Sequence, residues 1–271
     1  MLKPLYLPAS TSTGQARAGQ AHESIGPGLK IKLAQSVDDV RAAQRLRWDV
    51  FSSEMGATLK CGREGLDEDE FDEFCDHLLV IDTSTDEVVG TYRLLTPASA
   101  MQCGRRYCET EFDIRRLKCL QSHTLELGRS CVRADKRGSL VMGMLWSGIG
   151  AYLRVGGYRY VMGCVSVSLS EGPEFASDLF QSLRPNMVLP SLTAFPRTPL
   201  AVDVFATGKA ALPPTLMRAY LKAGAQVAGV PAVDRDFDCA DFLMLLSVDQ
   251  MQDRFARRFQ AGQVTAADQV A

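Results

Sequence analysis

The nine residues 124–132, TLELGRSCV, constrain the fold of this chain more than any other segment. They place an acid, Glu126, and a base, Arg129, three positions apart in a run that otherwise has the composition of a buried strand. Side chains alternate between the two faces of a strand, so these charges reach one site only if the strand kinks between them. Gly128 is the candidate for a β-bulge at that kink. The alternative is an edge strand whose charges are solvated.

The residues after this strand predict a parallel β-α-β unit. A basic turn at residues 135–138 precedes an apolar helix over residues 140–155, which Gly156 and Gly157 terminate. Another apolar strand follows at residues 158–167. The helix N-terminus in such a unit is a favourable site for a phosphate group.

The remaining segments predict a mixed α/β order. Residues 36–53 start like a capping box and carry an apolar helical face, and residues 77–82 and 88–96 are the strands of a hairpin. Further helices are expected over residues 112–120, 173–182 and 214–223, and further strands near residues 226–230 and 242–248.

Length and composition favour a globular, cytoplasmic protein with one folded domain. Of 271 residues 46% are apolar, and the apolar runs are shorter than the ~20 residues that cross a bilayer. We expect a disordered leader at residues 1–28, the domain at residues 29–260 and a flexible tail at residues 261–271. Eight cysteines without a CxxC pair and three histidines favour reduced thiols and no metal site.

Within a chain of net charge -2, two segments carry opposite charge, an acidic arm (residues 61–90) and a basic body (residues 101–160). Residues 61–90 hold eleven acids against Arg63 alone, whereas residues 101–160 hold eleven Arg and Lys against five acids. The arm would suit a cationic small substrate, and the body an acidic macromolecule or a phosphate-bearing ligand. Simple solvated surface is the alternative for both.

Four separated blocks of sequence resemble one known family. They are FDEFCDHLLVID (71–82), VVGTYRLLTP (88–97), ETEFDI (109–114) and LELGRSCV (125–132), and the likeness spans about residues 30–250. The chain resembles the ornithine N-acyltransferases that start ornithine-lipid synthesis, and is similar in outline to the acyl-homoserine-lactone synthases. The resemblance implies a GNAT-like α/β fold, in which helices flank a central mixed twisted sheet, with a C-terminal extension.

The resemblance also implies a reaction, in which acyl carrier protein donates a 3-hydroxyacyl chain to the α-amine of L-ornithine and gives a lyso-ornithine lipid. The carrier's phosphopantetheine would be the donor arm, with no permanently bound cofactor and no nucleic acid partner. The attacking amine must lose a proton, since its reference pKa is about 7.7–8.0, and Glu126 is the expected acceptor. N–H groups freed by a bulge at Gly128 would hold the thioester oxygen.

A series of site residues follows from the same resemblance. Glu126 and Arg129 are the expected catalytic residues. The substrate-binding residues that match the acceptor pocket of the lactone synthases are Arg47, Phe51, Asp72, Asp76 and Arg93, with Asp69 as a further acidic candidate. For Arg47 and Phe51, support of the core is the alternative.

The phosphopantetheine arm is expected along Cys131 and Val132 and at Arg137, Gly138 and Gly143. This loop departs from the acetyl-CoA pattern because its second glycine is displaced to Gly143, which favours a carrier protein with one phosphodiester over CoA. An ordinary strand-to-helix turn is the alternative. Basic residues that would dock an acidic carrier are Arg105, Arg106, Arg115, Arg116, Arg133, Lys136 and Arg137.

Two other functions stay open at this point. One is a related N-acyltransferase, such as a lactone synthase that uses S-adenosylmethionine. The other is a non-enzymatic lipid-binding protein, because some relatives carry a haemolysin label, with helix 214–223 as a peripheral contact on the inner face of the cytoplasmic membrane. A core helix is the alternative for that segment. Cys131 is not expected to be a nucleophile, because no histidine is placed to activate it.

Overall fold

The computed structural model describes residues 25–26, 28–59 and 63–251, and a mixed sheet forms the centre of this part of the chain. The strands of the sheet are β1 (Ile25–Gly26), β2 (Leu29–Leu33), β3 (Asp76–Asp82), β4 (Glu87–Leu95), β6 (Thr124–Val132), β7 (Tyr160–Ser168), β9 (Gln226–Val227), β10 (Ala232–Asp234) and β11 (Cys239–Ser247). A separate two-stranded sheet contains β5 (Phe112–Asp113) and β8 (Phe195–Pro196).

The helices flank this sheet. They are α1 (Val37–Trp48), α2 (Pro97–Cys103), α3 (Ser139–Gly156), α4 (Glu174–Leu183), α5 (Val202–Phe205) and α6 (Thr215–Ala223). The strand order is β1-β2-β3-β4-β6-β7-β11-β10, with β9 also paired to β11, and within the described residues only β6 and β7 pair in parallel. The predicted β-α-β unit and the sheet flanked by helices are therefore confirmed.

Alternation along β3 places α1 and α3 on opposite faces of the sheet. Leu78 packs in the large core with α3, whereas Leu79 packs with Ala43 of α1. Gly148 permits the close approach of α3, because a Cβ there would lie 2.7 Å from a side-chain atom of Ile31 and 2.9 Å from one of Leu78. The α1 N-cap is Ser36, as the sequence predicts, and one turn of π-helix (Asp49–Glu54) continues α1.

The kink in β6 is present, one residue later than predicted. Arg93 of β4 pairs with Gly128 and Thr91 pairs with Cys131, so Arg129 and Ser130 together face one residue of β4. Arg129 has a φ of 50°, a left-handed conformation that suits a bulge. The edge-strand alternative is wrong, since β6 lies between β4 and β7 and Glu126 is buried.

Two stretches between the strands differ from prediction. The helix expected over residues 112–120 is wrong: the structure has β5 and then a 3₁₀ turn (Arg115–Leu117), because Phe112, Ile114 and Leu117 all turn into one buried cluster. Helix α2, with Thr96 as its N-cap, was missed.

The predicted ends of the chain fall mostly outside the described residues. Residues 1–24 of the predicted leader and all of the tail at 261–271 lie there, although Ile25–Gly26 forms β1 against β2. Helix α6 turns Met217 and Ala223 into the large core, which confirms the core-helix alternative. No helix in the described ranges is both long enough and apolar enough to cross a membrane.

Candidate active site

A cleft opens where β6 and β7 separate. The two strands pair only from Thr124–Tyr160 to Glu126–Met162, although β6 continues to Val132 and β7 to Ser168. At the fork, a Cβ on Gly163 would lie 2.5 Å from the carbonyl oxygen of Leu127, so only glycine allows the strands to approach there. The empty space in and immediately above this open cleft is about 440 Å³. It is lined by Tyr92, Leu127, Gly128, Arg129, Ser130, Val161, Met162, Gly163, Cys164, Leu216, Tyr220, Ala225, Met244 and Leu246.

Beside β6, the predicted acidic arm folds inward onto three arginines. Arg47 Nε donates to Asp67 Oδ2 at 2.8 Å, and its Nη2 donates to Asp72 Oδ2 at 2.7 Å. Arg93 Nη1 donates to Asp69 Oδ1 at 2.6 Å and to Asp72 Oδ1 at 3.1 Å. The arm is therefore an internal ion-pair network, not an open cation receptor.

Arg129 joins this network from the bulge. Its Nε donates to Asp67 at 3.1 Å and its Nη2 to Asp69 at 3.3 Å. The ring of Tyr107 lies between Arg93 and Arg129, whose Cζ atoms are 5.3 Å and 5.0 Å from its centroid. The network thus balances three cations with three aspartates, and fixes Arg129 at the mouth of the cleft.

Asp72 is the centre of the network. Burial raises the pKa of Asp72, but Arg47 and Arg93 outweigh that effect and hold the pKa well below its usual range. Arg47 Nη1 and Arg93 Nη2 are buried atoms without a hydrogen-bond partner among the described residues. The structure therefore brings Arg47, Asp72 and Arg93 together, and most of their polar atoms are engaged in hydrogen bonds within the network.

Three other predicted residues are not part of this ion-pair network. Phe51 packs edge-on against Phe237 at 5.7 Å, and Phe237 in turn lies under Arg129 at 5.2 Å. Asp76 is exposed and accepts a hydrogen bond from Tyr152 of α3 at 2.5 Å, on the other face of the sheet. Cys131 packs against α1, and burial raises the pKa of its thiol to about 12.

Glu126 is buried and held by backbone amides. Its Oε1 accepts from Cys108 N at 2.7 Å and its Oε2 from Tyr107 N at 3.2 Å, while Arg106 Nη1 lies 3.9 Å away. Burial raises the pKa of Glu126, and Arg106 opposes the rise. Because Arg129 Nη1 donates to Tyr107 Oη at 2.9 Å, the kinked strand brings both predicted catalytic residues to Tyr107.

The predicted donor loop lies at the far end of β6. Gly138 is the N-cap of α3, and Arg137 donates to the Val132 carbonyl at 3.2 Å and pairs with Glu54. Gly143 is the fifth residue of α3, so its amide belongs to the helical ladder rather than to the free amides of the N-terminus. The donor-binding roles of these residues stay predictions.

The seven predicted docking residues all bond within the chain. Arg106 cannot dock a carrier, because it is buried and donates to the carbonyl oxygens of Gln121 and Thr124 at 2.8 Å and 3.1 Å. Near the α3 N-terminus, Arg133 and Lys136 pair with acids of this chain. The other four, Arg105, Arg115, Arg116 and Arg137, also bond within the chain.

The sequence did not reveal a second acidic group beside the cleft. Ligand atoms of Glu111, Cys164 and Asp241 lie within 4.8 Å of one another, as do those of Asp234, Cys239 and Asp241. Asp241 is 4% exposed, and the buried Oε2 of Glu111 has no hydrogen-bond partner in the described part of the chain. Burial and the neighbouring Asp241 raise the pKa of Glu111 to about 10.

The chemistry of this second group suits a cation. Two carboxyl groups at this spacing share a proton when empty, and a bound cation would displace it. Its oxygen and sulfur atoms could hold an ammonium group or a metal ion, and the absence of a metal site stays a prediction. Since Cys164 also lines the cleft, the group is next to the fork of β6 and β7.

Known proteins resemble this chain in sequence and in fold. Residues 46–147 match the acetyltransferase (GNAT) domain family. The chain is 34% identical over 238 residues to L-ornithine N(alpha)-acyltransferase of Rhodobacter capsulatus, covering 83% of this chain and 92% of that protein. It is 33% identical over 245 residues to L-ornithine N(alpha)-acyltransferase of Brucella abortus, covering 84% and 87%.

A solved structure shares the fold. A CoA-dependent acyl-homoserine lactone synthase with SAM and isopentyl-CoA aligns with a TM-score of 0.51 at 16% identity. The alignment covers 86% of this chain and 89% of the synthase. The predicted GNAT-like fold is thereby confirmed.

Proposed function

This chain belongs to the L-ornithine N(alpha)-acyltransferase family, and from that premise we propose that it acylates the α-amine of L-ornithine with a 3-hydroxyacyl chain from acyl carrier protein. Family membership makes it an amide-forming acyltransferase, which sets aside the binding-only alternative. The proposed product is a lyso-ornithine lipid. We also propose that the enzyme works in the cytoplasm and makes a peripheral contact with the membrane.

The observation that carries the proposal is the fork between β6 and β7. The phosphopantetheine arm is a chain with amide groups, and it would lie along the strand edges that the fork leaves unpaired. The bulge leaves Arg129 and Ser130 without register partners of their own in β4, and their N–H groups would hold the thioester oxygen as negative charge develops. The acyl chain would occupy the apolar walls of the cleft.

The reaction we propose is direct attack by the amine. The nitrogen lone pair forms a bond with the thioester carbon, and the carbon–sulfur bond then breaks. The proton that the attacking nitrogen loses as the amide forms is taken up by the leaving thiolate of the carrier. An acyl-enzyme is not favoured, because Cys164 is the one thiol that lines the cleft among the described residues and burial raises its pKa well above the usual value.

The acidic group beside the cleft supports ornithine as the acceptor. Ornithine has two ammonium groups, so one can bind Glu111 and Asp241 while the other attacks. We assign the side-chain ammonium to these carboxylates, because they lie on the flank of the fork and lack an arginine or lysine in hydrogen-bond contact among the described residues. Bound ammonium would favour the ionised forms of both carboxylates and release their shared proton.

Glu126 is our candidate to accept the α-ammonium proton. Its two N–H partners fix the carboxylate, and each oxygen keeps a second lone pair through which a water can deliver the proton. Its raised pKa favours proton uptake. Arg129 would shape the mouth of the pocket. Arg93, whose Nη2 has no hydrogen-bond partner within residues 28–59 and 63–251, is the candidate for the acceptor carboxylate. Arg47, Phe51 and Asp72 would support these residues.

The test is product analysis under competition. Purified protein is given 3-hydroxyacyl carrier protein with ornithine, lysine and S-adenosylmethionine together, and acyl-CoA serves as a parallel donor. We expect N-acyl-ornithine from the carrier protein, little product from CoA, and a loss of turnover in Glu126→Gln of about 10²-fold or more. The matched control is Glu73→Gln, which makes the same change at an exposed position.

Each outcome is distinct. A lactone or an acyl-lysine would keep the chemistry and reject ornithine as the acceptor, and product from acyl-CoA alone would reject the carrier protein as the donor. Full activity in a folded Glu126→Gln would remove Glu126 from the role of base while leaving the acylation reaction intact.

A further inference from the structure

One group of hydroxyls interrupts an otherwise mostly apolar cleft. Apart from Arg129, the side chains that line it are chiefly aliphatic residues and methionines. The hydroxyl-bearing side chains among them are Tyr92, Ser130 and Tyr220, from β4, β6 and α6. The reaction steps described above use none of these three hydroxyls.

The three hydroxyls form a fixed cluster. The phenolic oxygens of Tyr92 and Tyr220 are in hydrogen-bond contact, and Ser130 lies opposite Tyr92 at the bulge, where burial raises the pKa of Tyr92 and the Ser130 hydroxyl opposes that rise. Tyr92 is 1% exposed, and the ring of Tyr220 packs against Trp146 with centroids 4.9 Å apart. Packing therefore holds the cluster before any ligand binds, as a selective polar group in an apolar pocket requires.

The cluster keeps hydrogen-bonding capacity for a ligand. Each hydroxyl has one proton and two lone pairs, and the bond between the two tyrosines uses one of the three protons. O–H groups and lone pairs therefore remain for a single alcohol group of a ligand. Burial raises the pKa of Tyr92 and of Tyr220, so both are weak acids and serve better as neutral hydrogen-bond partners than as a proton source for the leaving thiolate.

The position of the cluster identifies which atom of the donor it meets. Ser130 is one of the two bulge residues whose N–H groups would hold the thioester oxygen. Carbon 3 of the acyl chain is two C–C bonds from the thioester carbon, roughly 2.5 Å away for bonds of about 1.5 Å. A substituent on carbon 3 would thus lie beside the bulge, within reach of the cluster.

We propose that Tyr92, Ser130 and Tyr220 bind the 3-hydroxyl of the acyl donor and select 3-hydroxyacyl chains over unsubstituted chains of the same length. This inference rests on the proposed function. The physical basis is that an unsubstituted chain would leave the free O–H without a partner in an apolar cleft, whereas a 3-hydroxyl pairs with it.

The experiment compares kcat/KM for two carrier-protein donors of equal chain length, one with and one without the 3-hydroxyl, at saturating ornithine. We expect wild-type protein to prefer the hydroxylated donor by about tenfold or more, and Tyr220→Phe to lose about tenfold of that preference. The loss should fall on the hydroxylated donor, because phenylalanine removes only the hydroxyl and keeps the ring against Trp146. Ser130→Ala tests the cluster from β6, and Tyr160→Phe is the control, since Tyr160 does not line the cleft.

Four results would overturn the inference. Equal wild-type rates with both donors, both giving N-acyl-ornithine, reject it and leave the proposed function standing. An unchanged preference in both Tyr220→Phe and Ser130→Ala also rejects the inference and leaves the proposed function standing. An equal loss with the two donors assigns the cluster to general catalysis or packing instead. Failure of folded wild-type protein to acylate ornithine with either donor rejects the proposed function, and the inference with it.

Discussion

Replacing Asp72 with asparagine tests the buried ion-pair network most directly. Asp72 is 7% exposed and accepts hydrogen bonds from Gln44, from Arg47 and from Arg93. Asparagine has nearly the same shape, so Asp72→Asn removes one negative charge and changes the packing little. The three arginines then face only Asp67 and Asp69, and the buried network carries an uncompensated positive charge.

The expected cost follows from that imbalance. Breaking a buried ion pair by removing one partner typically costs about 3–5 kcal/mol, a large part of the roughly 5–15 kcal/mol that stabilises a native protein. The exposed pair of Lys30 with Asp86, which is 81% exposed, provides the control. Asp86→Asn should change the free energy of unfolding by less than about 1 kcal/mol.

The dependence on pH has a definite sign. The folded-state pKa of Asp72 is depressed below its unfolded value of about 3.9, so its stabilisation is complete above that pH and is lost as the pH falls through the folded-state pKa. Wild-type protein should therefore lose stability below about pH 4. Asp72→Asn should start less stable at pH 7 and lose less on acidification.

Urea unfolding followed by circular dichroism measures both effects. With a slope of about 1–3 kcal/mol/M, a loss of 3–5 kcal/mol lowers the midpoint by at least about 1 M. The reasoning is refuted if Asp72→Asn matches Asp86→Asn at pH 7 with an unchanged slope, because the buried charges would then be compensated by something other than Asp72.

Two further variants probe the cleft and its acidic flank. Gly163→Ala places a Cβ 2.5 Å from the Leu127 carbonyl oxygen, so we expect the fork to shift, turnover to fall about tenfold or more, and thermal stability to drop; a wild-type kcat would mean that the fork geometry does not control the reaction. Asp241→Asn should raise KM for ornithine by about tenfold and leave binding of the carrier-protein donor unchanged, because it removes a charge-assisted bond to the ammonium group. Unchanged KM for ornithine would remove Asp241 from the acceptor site.

Local sequence was enough to predict the elements that position the site. The Ser36 cap, the apolar helix ended by Gly157 and the kinked strand at residues 124–132 each depend on neighbours within a few positions. Such signals act through backbone propensity, caps and side-chain periodicity, so they are readable without the fold. The exact position of the bulge could not be read from the sequence, because Arg129 adopts a left-handed conformation that its buried partners stabilise.

Predicting that a residue belongs to a site differs from predicting which residues it contacts there. The sequence identified Arg47, Asp72 and Arg93 as members of one site, and the structure brings them together, but as one another's ion-pair partners. The sequence did not indicate that Asp76 faces α3, where Tyr152 donates a hydrogen bond to the Asp76 carboxylate. Alternation along β3 decides that, once the sheet has fixed which face packs against α3.

Sequence by itself determined the family, the main strands and helices of the central sheet, and the residues Glu126 and Arg129 on one kinked strand. Only the tertiary structure decided which polar groups remain available to a ligand. Tyr92 and Tyr220 are 128 positions apart, and Glu111 meets Asp241 beside the fork. Such contacts form because β4, β6, β7 and β11 pair in one sheet beside α6, and the free energy of that packing depends on contacts between distant segments, which local propensity does not encode.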